Sequence, residues 1–236
     1  MSATSSKPVI LLIHGGWHYP KCYGPLVDEL EGLGYSVLCP ELPTLGADTH
    51  GKTPADDVAL IHEIVLPLFD QGKEIVIIGH SYGGIPACAS TQGLGVQERA
   101  LEGKKGGFKS IVFLAAFAIP KRGMDLLQTF GGSWGVWQNA TTPYTRNQLI
   151  TVNDNAKHAF YNDMPDDESQ KWFDTLVPHS QDAFETGVDY VAADLTIPKG
   201  YVICELDQVS ANYDLPIVPN SRSNFYASAS LPLQAA

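Results

Sequence analysis

Positive charge is scarce in this chain. Lys and Arg number 15 against 26 Asp and Glu, for a net charge of −11. Proteins that bind nucleic acid or anionic membranes generally neutralise phosphate with Lys and Arg, so neither partner is expected. Long hydrophobic runs are missing as well. The first apolar run, Val9 to Ile13, is far too short to cross a bilayer. Met1 to Lys7 is polar and Ser/Thr-rich, with no apolar stretch before a cleavage site, so no secretory signal is read. A cytoplasmic location is the resulting expectation. Cysteine is sparse: Cys22, Cys39, Cys88 and Cys204 lie far apart, with no CxxC and no Cys/His ligand spacing. Neither a metal nor a cofactor is expected. Disorder is excluded too, because 44% hydrophobic against 17% charged residues is a globular balance.

What is present is an alternation of short apolar strands with helices. Pro8 to His14, Tyr35 to Cys39, Glu74 to Ile78, Phe108 to Ala116 and Tyr201 to Leu206 read as strands. Their unbroken apolar character suits a parallel sheet covered on both faces. Helices are expected over Pro25 to Leu33, Asp57 to Phe69 and Ile85 to Gln92. The second is opened by Thr53-Pro54, a cap followed by proline at the first helical position. Strand–helix alternation at this rhythm predicts an α/β fold with a mostly parallel sheet and helices on both faces. The stretch from about Pro120 to Pro198 breaks the rhythm. It is rich in Trp, Gly, Asn and Asp, has only short helical pieces such as Pro165 to Leu176, and reads as an insertion over the sheet's C-terminal edge.

The strongest chemical signal is Gly79-His80-Ser81-Tyr82-Gly83-Gly84, placed directly between a strand and a helix. A nucleophilic serine needs an exposed hydroxyl on a tight strand-to-helix turn, and flanking glycines make room for that turn. The segment lacks the Lys-Ser/Thr of a phosphate-binding loop, which argues against a phosphate cradle. A second signal is His14-Gly15-Gly16-Trp17 after the first strand. Acyl transfer creates an oxyanion that needs pre-placed N–H donors. The amides of Tyr82 and Gly16 are the candidates. His14 is expected to be structural, His80 to point away from Ser81, and Trp17 either to line an acyl pocket or to pack beneath the insertion.

Together these motifs resemble the α/β-hydrolase family, and more closely its small esterase and hydroxynitrile-lyase-like branch. Val112-Phe113-Leu114-Ala115-Ala116, Tyr161-Asn162-Asp163, Leu176-Val177-Pro178-His179-Ser180 and Ile197-Pro198 before Tyr201 to Asp207 carry the likeness further. The resemblance covers roughly residues 8 to 208. It implies a hydrolase core over 1–119 and 197–208, a lid over 120–196, no metal, and a Ser–Asp–His triad in chain order. By position Asp207 matches the family's acid, with Glu205 a weaker alternative.

The chain then departs from the pattern. The family's base is a histidine in a loop beyond one more strand, yet no histidine follows His179. Residues 209–236 read as an atypical tail, and the family's final strand, catalytic histidine and closing helix are expected to be missing. A retained intron or a mistaken gene model would produce such a tail. An uncovered sheet edge would favour self-association. His179, within the insertion, is the candidate substitute base and a tentative pocket residue beside Trp17.

Three functions are compatible with these features. One is a carboxylesterase acting on a small ester through Ser81, Asp207, Gly16 and Tyr82. The second is an impaired or inactive hydrolase-like protein that binds a small apolar ligand. The third is a hydroxynitrile-lyase-type lyase, which cyanide release would distinguish. Trp134, Trp137, Phe160, Tyr161, Trp172 and Phe173 in the insertion suggest an apolar pocket.

Overall fold

The computed structural model describes residues 7–209 and the backbone of 225–229. The first apolar run forms β1 (Val9–Ile13), with Leu11, Leu12 and Ile13 fully buried. Then come α1 (Gly24–Gly32), β2 (Ser36–Leu38), α2 (Pro54–Asp70), β3 (Glu74–His80), α3 (Gly84–Ser90), α4 (Val96–Leu101) and β4 (Gly107–Leu114). The chain leaves the main sheet after β4. It builds α5 (Leu126–Thr129), β5 (Gln138–Asn139), β6 (Leu149–Val152), α6 (Asn155–Tyr161), α7 (Asp166–Phe173) and β7 (His179–Ser180), and returns as β8 (Lys199–Cys204) and β9 (Phe225–Ala229). The main sheet runs in the order β2-β1-β3-β4-β8-β9, and every pairing in it is parallel. β5, β6 and β7 form a separate three-stranded antiparallel sheet within the insertion.

Local chemistry explains the main elements. At the start of α2 the Thr53 N–H donates to the Asp56 carboxylate at 2.9 Å, satisfying one of the donors a helix start leaves unpaired. Along α2, Asp57, Ile61, Val65 and Phe69 are buried at a spacing of four, the face a helix presents to a sheet. Phe69 meets Phe108 of β4 edge to face, with ring centroids 5.1 Å apart. No helix among the described residues is long and apolar enough to cross a membrane.

The expected strands and helices of the core all form, with ends shifted by a few residues. Not anticipated were α4, α5, α6 and the small antiparallel sheet. The C-terminal side brings a correction. A strand beyond β8 was expected to be missing, but β9 pairs with β8 from Gly200↔Phe225 to Cys204↔Ala229. The physical reason is the row of backbone N–H and C=O groups along the outer edge of β8, which a further strand satisfies. Phe and Tyr, the first two residues of β9, are types enriched in strands. The β8 edge expected to be uncovered is therefore paired. The expectations for the remaining tail, including the missing closing helix, fall outside the described residues.

Candidate active site

β3 delivers the chain to Ser81, where φ is +50°. A left-handed backbone costs a non-glycine residue about 1–2 kcal/mol, so the surroundings must hold it there. They do so from two sides. The Phe117 N–H, just past β4, donates to the Ser81 carbonyl at 3.0 Å. The turn Ser81–Gly83 also presses against the end of β1 so closely that a Cβ on Gly83 would collide with the carbonyl oxygens of Ile13 and His14. The glycine there is required by that approach.

The loop after β1 sits beside the elbow. The Gly15 N–H donates to the Tyr23 hydroxyl at 2.8 Å, and that hydroxyl lies 2.7 Å from His80 Nδ1. An oxygen accepting from Gly15 is free to donate its own proton, so His80 Nδ1 acts as acceptor. Burial lowers the His80 pKa to about 3, which keeps the ring neutral. His14 is structural, as expected. Its Nε2 accepts the Leu42 N–H at 3.0 Å, its Nδ1 lies 2.8 Å from the Gly15 carbonyl, and burial lowers its pKa to about 4.

Ser81, Gly16, Trp17 and Asp207 all line one cavity of about 260 Å³. The insertion contributes the other wall, chiefly Phe130, Trp137, Phe160, Trp172 and Phe184. Trp17 lines the cavity and packs beneath the insertion at once. Its ring stacks on Phe184 at 5.1 Å and meets Trp137 edge to face at 5.5 Å, and its indole N–H donates to the Ile150 carbonyl at 3.1 Å. Asp207 follows β8, where its carboxylate accepts the Val209 N–H at 2.8 Å. Glu205, the weaker alternative, lines the cavity too.

His179 is not among the residues that line the cavity. It is fully buried, with Nε2 3.2 Å from Thr44 Oγ1 and Nδ1 3.3 Å from the Ser180 carbonyl, and it packs against the Tyr82 ring at 4.8 Å. It was expected as a pocket residue, but its ring is packed among those of Trp17, Tyr82 and Phe184 instead. Burial lowers its pKa to about 3.

Sequence reasoning missed Asp57. Fully buried, it accepts from the Tyr82 hydroxyl at 2.6 Å, from Thr44 Oγ1 at 2.9 Å and from the Thr44 N–H at 3.2 Å. Burial outweighs these donors and pushes its carboxyl up to about 7. Its signal was an aspartate in register with the apolar stripe of α2. In the cavity itself His18, which the sequence motifs did not single out, is joined at 2.8 Å from Nε2 to the phenol oxygen of Tyr161, one of the insertion aromatics expected there. His18 Nδ1 is 2.8 Å from the Gly16 carbonyl, which as an acceptor takes that ring's proton.

Known proteins give this site its context. Residues 10–230 match the alpha/beta hydrolase family, and the match continues past Asp207, where the sequence pattern was read as ending. The chain is 30% identical over 223 residues to the probable hydrolase R7 of Phoma sp. (strain ATCC 20986 / MF5453), covering 93% of this chain and 83% of that protein. It is 28% identical to the alpha/beta hydrolase nvfD of Aspergillus novofumigatus (strain IBT 16806) over 114 residues, 48% of this chain, and spans less than half of that relative's length, 45%. Among solved structures, polyneuridine aldehyde esterase superposes with a TM-score of 0.63 at 16% identity, over 86% of this chain and 82% of that one. By the extent of the family match and of the likeness to R7, this chain belongs to the alpha/beta hydrolase family.

Proposed function

We propose that this chain takes small apolar carboxylic esters into its aromatic cavity and accepts their acyl group on Ser81. The observation that carries this reading is Ser81 itself: a serine at φ +50° opening into a cavity walled largely by aromatic rings. In the proposed step the Ser81 oxygen attacks the ester carbonyl carbon, and the amides of Gly16 and Tyr82 donate to the oxygen that becomes negative. Collapse of that intermediate breaks the bond to the alkoxy oxygen, which leaves as the alcohol with the proton that Ser81 gave up, and the acyl-serine is then hydrolysed by water to the carboxylic acid and free Ser81. Asp207 supplies the acid of the site. The resemblance to esterases, R7 being named a probable hydrolase, is consistent with this class.

A second reading, ligand binding with little or no turnover, is favoured by the histidine inventory. All seven histidines lie among the described residues. His14, His18, His62, His80 and His179 each have a ring nitrogen on a protein group other than Ser81, and His50 and His158 are exposed. A serine without its base is a weak nucleophile. Loss of a triad member typically costs on the order of 10⁴ to 10⁶ in rate.

A fluorophosphonate probe separates the two readings. Labelling of the folded chain that disappears in Ser81→Ala supports acyl acceptance. A folded chain that stays unlabelled rules it out and leaves ligand binding.

A further inference from the structure

The loop that follows β1 is gripped at two successive carbonyls by two histidines. His14 Nδ1 is 2.8 Å from the Gly15 carbonyl, and His18 Nδ1 is 2.8 Å from the Gly16 carbonyl. A carbonyl only accepts, so each ring carries its proton on Nδ1. Burial lowers the pKa of both rings, so at neutral pH each holds a single ring proton. Both Nε2 atoms are therefore acceptors. His14 Nε2 takes the Leu42 N–H at 3.0 Å. His18 Nε2 takes the Tyr161 hydroxyl at 2.8 Å, and burial raises the pKa of that phenol, which keeps its proton.

These bonds hold the peptide planes on both sides of Gly16. The Gly15 carbonyl and the Gly16 N–H share one trans peptide and point in opposite directions. The Gly16 carbonyl belongs to the next peptide. A glycine between two planes has a wide choice of φ and ψ unless both are fixed. His14 fixes the first plane from within the core. His18 fixes the second, and His18 is itself set by Tyr161, the last residue of α6. The following residue, Trp17, has φ +63°, a left-handed backbone that a non-glycine residue keeps only where its surroundings impose it. The elbow is adjacent: a Cβ on Gly15 would stand 3.0 Å from the Ser81 Cβ.

We propose that His18 and Tyr161 are positioning residues for the Gly16 amide. The Tyr161 hydroxyl fixes the tautomer of His18, His18 fixes the Gly16–Trp17 peptide, and the Gly16 N–H is thereby held toward the oxygen that becomes negative. The two side chains orient the donor and exchange no proton with the ester. This rests on the reading of Gly16 as an oxyanion donor and adds to it that the donor is complete only with the end of α6 in place.

The test uses the full chain and begins without a substitution. A long-range nitrogen–proton correlation spectrum is expected to place the His18 ring proton on Nδ1; a proton on Nε2 overturns the proposal. Rates of fluorophosphonate labelling at neutral pH are then compared in a double-mutant cycle. Tyr161→Phe is expected to slow labelling about tenfold beside His18, the worth of one net hydrogen bond, and less than about twofold in a His18→Leu background. A tyrosine that only packs would give the same factor in both backgrounds, and equal factors or no slowing beside His18 would overturn the proposal. The carbon shift of the Gly16 carbonyl, which needs no labelling, is expected to move in Tyr161→Phe. A shift that stays put overturns the link whatever Ser81 does. A shift that moves in a chain that never labels upholds the link and fails the ester reading, so the two are told apart. Should His18→Leu not fold, the tautomer and the carbonyl shift decide.

Discussion

Four titrating side chains buried around the elbow make the fold's stability depend on pH, with a sign set by which of them dominates. Burial lowers His14 to about 4 and both His80 and His179 to about 3, while it raises Asp57 to about 7. In the unfolded chain the histidines return to about 6.5 and the aspartate to about 3.9. Between the two histidine values the unfolded chain holds more protons, so stability rises with pH across that window. At pH 5 each of the three favours unfolding by about 2 kcal/mol relative to neutral pH, or about 6 kcal/mol together. Asp57 acts in the opposite sense. Its folded form holds the extra proton between about 4 and 7, so raising the pH from 5 to 7 removes about 2 kcal/mol. The histidines prevail, and a net gain of about 4 kcal/mol from pH 5 to 7 is a large share of the 5–15 kcal/mol typical of a domain. The assay is the urea midpoint by circular dichroism at pH 5, 6 and 7. His179→Gln is expected to flatten the profile by about half. Stability that is flat, or higher at pH 5, refutes the assignment of these histidines as buried and neutral.

Ser81→Gly is expected to unfold at higher temperature than Ser81→Ala, by about 1 kcal/mol or 2–4 °C, because only glycine is at ease at a left-handed φ. Thermal melts of the two variants check it; equal midpoints would remove the claim of strain. Gly83→Ala is expected to cost about 3 kcal/mol or more, since the new methyl meets the Ile13 and His14 carbonyls and neither backbone can yield. Chemical denaturation measures it. Tyr82→Phe takes the shortest donor from Asp57 and is expected to cost about 1–3 kcal/mol, read from the same denaturation curves at neutral pH.

Features fixed by neighbours in the chain were legible in advance. The Val9 to Ile13 run, the Thr53-Pro54 helix start and the glycines of the Ser81 turn each state their structure locally, and each forms as expected. The shared cavity of Ser81, Gly16, Trp17 and Asp207 came from placing motifs at the ends of parallel strands. Features that join distant segments were not legible. Asp57, Tyr82, Thr44 and His179 meet from four separate stretches, and nothing in the local sequence of α2 announces that its aspartate faces a tyrosine hydroxyl. β9 was missed for a similar reason: Phe225–Ala229 sits in a stretch of weak pattern, and its strand character depends on the partner edge of β8.

The insertion is fastened to the core unevenly. Its strand half is stitched on by backbone: the Ser180 N–H donates to the Thr44 carbonyl at 2.8 Å, the Gly46 N–H to the Pro178 carbonyl at 2.8 Å, and the Val177 N–H to the Trp17 carbonyl at 3.1 Å. Its helical half, α6 and α7, meets the core through side-chain bonds such as His18 to Tyr161 and Asn162 to the Leu206 carbonyl. Mechanically these are a fixed frame and a hinged leaf. Amides of β6 and β7 should exchange with solvent only when the core itself loosens, and those of α6 and α7 well before. Loosening of α6 and α7 would leave in place the strand frame, whose Ile150 carbonyl accepts the Trp17 indole N–H.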